Sequence, residues 1–255
     1  METGTFITLG LYFVLMLAIG LYAYRESTSD VSGYILGGRR LGPAVASLSA
    51  GASDMSGWML LGLPGAMYLS GLSSAWIAIG LFIGAFANYL IVAPRLRLYT
   101  ELARDALTIP DYFDKRFLDR TRLLRVISSL VIIVFFTLYT SSGLVAGGKL
   151  FESAFGLDYS WGLFITAGVV MAYTLLGGFM AVSLTDFVQG CIMFVALILV
   201  PFVALTHVGG VAGMTETIRG IDPGLLDLFK DATLISIISA MAWGLGYFGQ
   251  PHIIT

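Results

Sequence analysis

Apolar runs of about 20 residues recur along the whole chain, and they constrain its fold more than any other feature. Each run is long enough for an α-helix to cross a bilayer. Hydrophobic residues make up 57% of the 255 residues and charged residues only 12%, whereas soluble domains average about 45–50% and about 25%. The sequence therefore predicts an all-α polytopic membrane protein with about seven transmembrane helices. The predicted spans are Phe6–Tyr24, Val45–Ser70, Ala75–Pro94, Val126–Phe151, Trp161–Met180, Val182–Val208 and Leu234–Thr255.

The basic residues are unevenly distributed between the predicted loops, which predicts an orientation. Three of the 14 Lys and Arg residues lie between spans 1 and 2, and eight lie between spans 3 and 4. Since basic loops stay on the cytoplasmic side, the N-terminus is predicted to be outside and span 7 to run inward. The formal net charge of −2 gives no reason to expect a nucleic-acid partner. The predicted spans are expected to be surrounded by membrane lipid.

The charged loop between spans 3 and 4 contains the sequence TIPDYF at Thr108–Phe113. Proline is favoured in the first turn of a helix, so this stretch predicts a short cytoplasmic helix that lies against the membrane. A solvated loop is the alternative.

An acidic residue lies inside span 2. The sequence SAGASDMSGWMLLGLPG at Ser49–Gly65 places Asp54 at membrane depth among several glycines and one proline. A charged aspartate there costs about 2.5–3.5 kcal/mol, so such residues usually face a cavity or a partner. None of the 14 basic residues is predicted at a comparable depth. A proton, a bound metal cation or a positively charged substrate is therefore expected to balance the charge, unless Asp54 is protonated and hydrogen-bonded within the bundle.

The helix breakers around Asp54 indicate what the acid does. Glycine and proline weaken the helix over residues 51–57 and release backbone groups, which membrane proteins tolerate only beside protein or a water-filled cavity. The released carbonyls, the Asp54 carboxylate and the hydroxyls of Ser53 and Ser56 are hard oxygen donors that suit a small hard cation. The amide end of the second half-helix suits an anionic substrate group.

The last span is interrupted in a similar way. Its sequence SAMAWGLGYFGQPH, Ser239–His252, has a tryptophan several residues before a proline, as span 2 has with Trp58 and Pro64. The charge distribution makes these two spans antiparallel, and paired broken helices in inverted positions are typical of transporters with inverted repeats. We therefore predict a single, incomplete membrane domain at the front of a larger protein. Its parts are the extra first span and a cytoplasmic loop (1–44), a first repeat (45–208), and an external loop with the first helix of a second repeat (209–255).

Five segments together resemble the sodium/solute symporter family, and within it the members that import proline. They are YILGGRRLGP (Tyr34–Pro43), SAGASDMSGWMLLGLPGAMYLSG (Ser49–Gly71), LTIPDYF (Leu107–Phe113), GGFMAVSLTDFVQ (Gly177–Gln189) and WGLGYFGQPHI (Trp243–Ile253). The resemblance implies a fold of five plus five inverted spans preceded by one extra helix. It also implies sodium-driven uptake of L-proline across the bacterial inner membrane, with sodium as transported ion rather than prosthetic group.

The resemblance assigns roles to individual residues. Two hydroxyl residues that complete the family's sodium site would fall beyond Thr255, so a C-terminal half is expected as a partner. The implied sodium-site residues are Ala52, Asp54, Met55, Ser56 and Gly57; those around the proline pocket are Trp58, Tyr139, Trp243, Tyr247 and Pro251; those tied to coupling are Arg39 and Asp186.

Each assignment has an alternative from chemistry alone. The alternative for Trp58 and Trp243 is that their rings pack between helices without contacting substrate. The alternative for Tyr139 is a hydrogen bond between helices. Arg39 is otherwise a positive-inside anchor. Asp186 is expected near the cytoplasmic end of span 6, where a half-solvated structural carboxylate is the alternative. The pairs Gly80–Gly84 and Gly143–Gly147 predict close helix contacts.

Two other function classes compete with transport. Gly51-Ala52-Ser53 resembles the Gly-x-Ser of serine hydrolases, and a membrane aspartate is typical of aspartyl proteases. The first needs a histidine at the depth of Ser53 and the second needs another membrane carboxylate; neither His252 nor Asp186 is expected at the required place. A sensor or channel domain on the same fold is a further alternative, and so is a sodium symporter for another small organic solute.

Overall fold

The computed structural model describes residues 3–27 and 31–251, and these residues form helices without any β-strand. Several of these helices are separated by 3-10 or π-helical turns. The α-helices are α1 Thr3–Ser27, α2 Val31–Leu36, α3 Pro43–Asp54, α4 Leu63–Ser70, α5 Ala75–Ala87, α6 Ala93–Leu102, α7 Ile109–Phe117, α8 Leu123–Phe155, α9 Tyr159–His207, α10 Gly210–Ile221 and α11 Leu234–Met241.

Within the described residues, four helical stretches are long and apolar enough to cross a membrane. A shorter apolar stretch, Leu234–Phe248, follows near the end. The prediction of a helical polytopic membrane protein is thereby confirmed at this level. The four stretches are Ile7–Glu26, Leu63–Leu102, Leu123–Phe155 and Tyr159–His207.

The described chain forms two compact units. The first contains the described residues up to Asp54 together with Asp105–Gly190, and the second contains Met55–Arg104 and the described residues from Cys191 onward. The predicted division into an extra span, a first repeat and the start of a second stays a prediction.

In the first unit, α1 packs against α9 through small residues. Met16, Ala23, Tyr173 and Ala181 form the buried apolar core. A side chain at Gly20 would have its Cβ only 2.9 Å from the Cβ of Tyr173. The glycine therefore allows the two helix backbones to approach closely, as small residues do in membrane helix packing.

The long helix α9 is interrupted at Gly178, whose φ of 56° and ψ of −146° are not helical. A Cβ at this glycine would lie 2.5 Å from the backbone oxygen of Tyr34, and the Tyr34 hydroxyl donates to the carbonyl of Thr174 at 3.3 Å. Only glycine fits both the backbone conformation and the close approach. The interruption falls beside the predicted boundary between spans 5 and 6.

The TIPDYF sequence begins a helix, as predicted. The side chain of Thr108 accepts a hydrogen bond from the backbone N–H of Asp111 at 3.3 Å, which satisfies one free amide of the first turn of α7. Arg125 at the start of α8 forms ion pairs with Asp111 and Asp114 at 2.5 and 2.7 Å. These ion pairs fix α7 to α8. The predicted position of α7 against the membrane stays a prediction.

In the second unit, glycines bring α5 against the last span. A Cβ at Gly80 would lie 2.4 Å from the Cα of Met241, and one at Gly84 would lie 2.2 Å from the carbonyl oxygen of Gly244. The predicted close contact at Gly80–Gly84 is therefore confirmed. Of the other pair, Gly147 approaches the Thr166 side chain, whereas nothing lies within 4 Å of a Cβ at Gly143.

Candidate functional site

The helix break predicted next to Asp54 is present. Helix α3 ends at Asp54, Met55 and Ser56 have no regular structure, and a π-helical turn at Trp58–Gly62 leads into α4. Pro64 occupies the start of α4, where proline does not interrupt hydrogen bonding. The break lies between Gly51 and Gly57, where glycine weakens the helix.

The predicted sodium-site residues lie along this break and are all partly buried. Ala52 and Asp54 belong to the last turn of α3, whereas Met55 and Ser56 form the break itself and Gly57 follows it. The Ser56 hydroxyl accepts a hydrogen bond from the backbone N–H of Trp58 at 3.2 Å. Ser56 therefore satisfies the first backbone amide of the π-helical turn through a local hydrogen bond.

Ser53 makes a different contact from the one expected. Its hydroxyl donates to Oδ2 of Asp186 at 2.8 Å, and the hydroxyl of Ser49, one turn earlier on α3, donates to the same oxygen at 3.2 Å. Asp186 is only 8% exposed. The expectation that a structural carboxylate would be half-solvated here was wrong, because Asp186 is buried where α9 meets α3. Whether Asp186 is structural or acts in coupling stays a prediction.

Ser49 is the residue of this site that sequence reasoning missed, and the contact between Ser53 and Asp186 was missed as well. A signal for them is present in the predicted spans: Ser49 lies four residues after the start of span 2, and Asp186 lies four residues after the start of span 6. Both spans are predicted to run outward from the cytoplasmic side. Hydroxyls and a carboxylate at equal depth are natural hydrogen-bonding partners in a bundle.

Tyr139 is joined to the end of α3. Its hydroxyl donates to the carbonyl oxygen of Ser53 at 2.7 Å, and its ring is tilted against Phe136 at 5.9 Å between centroids. The last carbonyls of a helix have no intrahelical partner, so Tyr139 satisfies one that the break releases. This contact is the hydrogen bond between helices that was the alternative interpretation of Tyr139. Contact of the Tyr139 ring with substrate stays a prediction.

The two predicted pocket tryptophans come together in the second unit. Their rings stack with centroids 5.0 Å apart and planes inclined by 24°. Trp58 lies over Gly62, where a Cβ would be 2.6 Å from Cδ1 of the indole. Glycine four residues after Trp58 therefore leaves room for the indole on the following turn.

The remaining pocket residues lie on the last span. Tyr247 is buried, with 9% of its surface exposed, and belongs to the 3-10 helix Ala242–Phe248, which also carries Trp243. Pro251 follows this helix and is partly buried. The aromatic side chains are thus presented by an irregular helix, as the glycines and proline of this span predicted.

Arg39 lies in a left-handed turn of the first unit. Gly37, Gly38 and Arg39 all have positive φ, at 60°, 62° and 55°. The Arg39 guanidinium pairs with Asp105 and donates to the carbonyl of Ala106 at 3.3 Å. A non-glycine residue in this conformation is strained, and these contacts hold it there. Arg39 therefore connects the loop after α2 to the segment before α7.

Comparison with known proteins identifies relatives over the whole chain. The profile described as "Sodium:solute symporter family" matches residues 34–255. The chain is 64% identical over 254 residues to the Osmoregulated proline transporter OpuE of Bacillus subtilis (strain 168), covering 100% of this chain and 51% of that protein. It is 56% identical over 250 residues to the Sodium/proline symporter of Staphylococcus aureus (strain JH9), covering 98% of this chain and 49% of that protein.

The chain thus spans about half the length of the curated relatives it matches. No solved structure matches it significantly.

Proposed function

Because the chain belongs to the sodium:solute symporter family, we propose that it is the N-terminal part of a sodium-coupled symporter that imports L-proline across the bacterial cytoplasmic membrane. The observation that carries the proposal is the 64% identity, over 254 residues, to a protein named as a proline transporter. The 56% identity to a protein named as a sodium/proline symporter supports sodium as the coupling ion. The missing C-terminal half is the partner that completes the transporter.

The complete protein would have five plus five inverted spans after one extra helix. In this arrangement α1 is the extra span, residues 45–208 form the first repeat, and Leu234–Phe248 lies in the first helix of the second repeat. The interruption of α9 at Gly178 supports two spans in that helix and therefore seven spans in this chain. The irregular turns at residues 55–62 and 242–248 support a broken first helix in each repeat.

We assign the sodium site to the segment that interrupts the helix after Asp54. The Asp54 carboxylate would offset the dehydration of the ion, and the backbone around Ala52, Met55 and Gly57 would contribute carbonyl oxygens. The Ser56 hydroxyl keeps a free lone pair while it accepts from Trp58, so it remains able to bind a cation. Sodium favours such oxygen donors because it is a small, hard ion.

We assign the substrate pocket to Trp58, Tyr139, Trp243, Tyr247 and Pro251. The tryptophan stack offers an apolar wall for the pyrrolidine ring of proline. Arg39 and Asp186 would act in coupling, since each is held by contacts that join separate segments of the first unit. A sodium symporter for another small amphipathic solute is the competing proposal. It differs only in which solute binds against the tryptophan stack.

A transporter is also favoured over an intramembrane hydrolase. Both relatives are named as transporters. The Ser53 hydroxyl donates a hydrogen bond to the Asp186 carboxylate, which is the arrangement of a buried structural hydrogen bond. A serine nucleophile instead needs a neighbouring histidine as general base.

The packing of the second unit supports one part of the proposed topology, the common direction of spans 3 and 7. Gly80 meets Met241 and Gly84 meets Gly244, so α5 and the last span run in the same direction. At the beginning of α5, the Trp76 indole N–H donates to the carbonyl of Leu228 at 3.0 Å, in the loop that precedes the last span. Both spans therefore begin on one side, as the charge distribution predicted for spans 3 and 7.

Cysteine labelling of the full-length protein tests this topology. In a background that carries Cys191→Ser, a cysteine at Phe117 is expected to react with an impermeant reagent only from the cytoplasmic side. A cysteine at Gly220 is expected to react only from outside, because the two positions lie in loops of opposite charge balance. Reaction of both from the same side would contradict the orientation.

The experiment that tests the proposed function is uptake of labelled proline by the full-length transporter that contains this chain. Uptake is expected to saturate with sodium and to fall to background when choline replaces sodium. Other amino acids and betaines at about tenfold excess serve as competitors. Sodium-dependent uptake that one of these solutes inhibits more strongly than unlabelled proline would transfer the proposal to that solute.

A further inference from the structure

We propose that Ser53 is a positioning residue for the ion site. Its hydroxyl oxygen and its backbone carbonyl oxygen are each hydrogen-bonded to a neighbouring helix. This inference rests on the proposed function, in which Asp54 binds sodium. Ser53 is the residue immediately before Asp54, at the end of α3. Because these hydrogen bonds fix the orientation of its hydroxyl and of its carbonyl, the role of Ser53 is to fix the residue that follows.

The hydroxyl is held by α9. Ser53 Oγ donates to Oδ2 of Asp186 at 2.8 Å, and Ser49 Oγ donates to the same oxygen at 3.2 Å. Residues four apart lie on the same face of a helix, so the two serines form one polar stripe on α3. Asp186 is 8% exposed, and a buried carboxylate depends strongly on its hydrogen-bond donors.

The carbonyl is held by α8. In an uninterrupted helix, the Ser53 oxygen would accept from the backbone N–H of residue 57, four positions later. Because α3 ends at Asp54, the Tyr139 hydroxyl instead donates to this oxygen at 2.7 Å. Tyr139 thus replaces the hydrogen bond that the break removes.

Close packing beside these hydrogen bonds restricts α3 further. A Cβ built at Gly190 on α9 would lie 3.4 Å from the backbone oxygen of Leu48 and 3.7 Å from the Cβ of Ala52. The last turn of α3 therefore lies directly on α9, one turn beyond Asp186. The two neighbouring helices α8 and α9 determine where α3 ends, and hence where the Asp54 carboxylate is placed.

The test measures sodium activation and proline affinity separately in the full-length transporter. Ser53→Ala is expected to raise the sodium half-saturation constant about tenfold, the effect of losing one hydrogen bond to a charged group. Proline affinity at saturating sodium is expected to change less than about twofold on the same scale. Ser53→Thr keeps the hydroxyl and is expected to restore most of the sodium affinity.

Ser47→Ala is the matched control, because Ser47 lies on the same helix but its hydroxyl donates to the carbonyl of Ala44 within that helix. It is expected to behave like the wild type. All constants are compared per molecule of protein in the membrane. If Ser53→Ala does not reach the membrane, Tyr139→Phe decides: it removes only the hydroxyl on the Ser53 carbonyl and is also expected to raise the sodium constant.

The outcomes separate this inference from the proposed function. A wild type without sodium-dependent uptake would remove the proposed function. An active wild type whose sodium constant is the same in Ser53→Ala and Ser47→Ala would overturn the positioning role alone. Equal loss of sodium and proline affinity in Ser53→Ala, without recovery in Ser53→Thr, would also overturn it, since general disruption of the bundle gives that result.

Discussion

Asp54→Asn in the full-length transporter is expected to reduce sodium-driven proline uptake by about 50-fold or more. Asparagine has nearly the size of aspartate but lacks the charge that offsets dehydration of the ion. Movement of one charge through a potential of 100 mV provides about 2.3 kcal/mol, which corresponds to roughly a 50-fold concentration ratio. A variant that cannot bind the ion loses this contribution, and the measurement is the steady-state accumulation ratio of labelled proline as a function of external sodium.

Three further measurements distinguish the sodium-ligand role of Asp54 from other roles. Asp54→Glu keeps the charge and is expected to retain sodium dependence at a higher sodium demand. Asp158→Asn removes an exposed carboxylate and is expected to leave uptake unchanged. If Asp54 binds a proton, uptake will instead follow pH and ignore sodium; if it is structural, protein abundance will fall while sodium affinity per molecule stays the same. Unaltered sodium dependence in well-folded Asp54→Asn would refute the ligand assignment.

The break at Asp54 was predictable because its causes are local. Glycine and proline act on the backbone within a few residues of their own position, so the spacing of Gly51, Gly57 and Pro64 located the irregular segment without knowledge of the fold. The start of α7 was predictable for the same reason, since the cap at Thr108 and the proline after it belong to one turn. Such features require only the sequence of a single helix.

The contacts of Ser53 were not predictable in the same way, because they join residues far apart in the chain. Asp186 is 133 residues from Ser53, and Tyr139 is 86 residues away. The charge distribution predicted only the depth and direction of each span, which left the rotation of every helix about its axis undetermined. With rotation undetermined, the Ser53 hydroxyl was expected to face a cation rather than Asp186.

The contact between the two tryptophans was predictable only in part. Their similar positions before Pro64 and Pro251 predicted that both belong to broken helices, but not that the rings touch. The stack additionally requires room beside each ring, which Gly62 provides for Trp58. It also requires the close approach of the last span to α5 at Gly84. Glycines therefore determine where the backbones approach, and the aromatic contacts follow from that.

Trp243→Ala is expected to raise the half-saturation constant for proline by about tenfold or more, with little change in sodium binding. Trp243 stacks on Trp58 at 5.0 Å, yet 53% of its surface is exposed, so its ring is available to an apolar ligand. Burial of a small apolar ring contributes about 1.5–3 kcal/mol, which corresponds to about a 10- to 150-fold change in affinity. Equilibrium binding of labelled proline at saturating sodium measures the effect directly.

Removal of Trp243 also exposes one face of Trp58, so a second variant is needed to separate loss of the wall from movement of its neighbour. Trp243→Phe keeps an aromatic ring on Trp58 and is expected to recover most of the proline affinity. Trp161→Ala removes a tryptophan that is 67% exposed at the start of α9 and is expected to leave the constant unchanged. Proline affinity that is the same in Trp243→Ala and Trp161→Ala would exclude Trp243 from the pocket. A parallel rise in the sodium constant would instead show that the stack supports the helix break, because a ligand contact alone changes proline binding without altering sodium binding measured in the absence of proline.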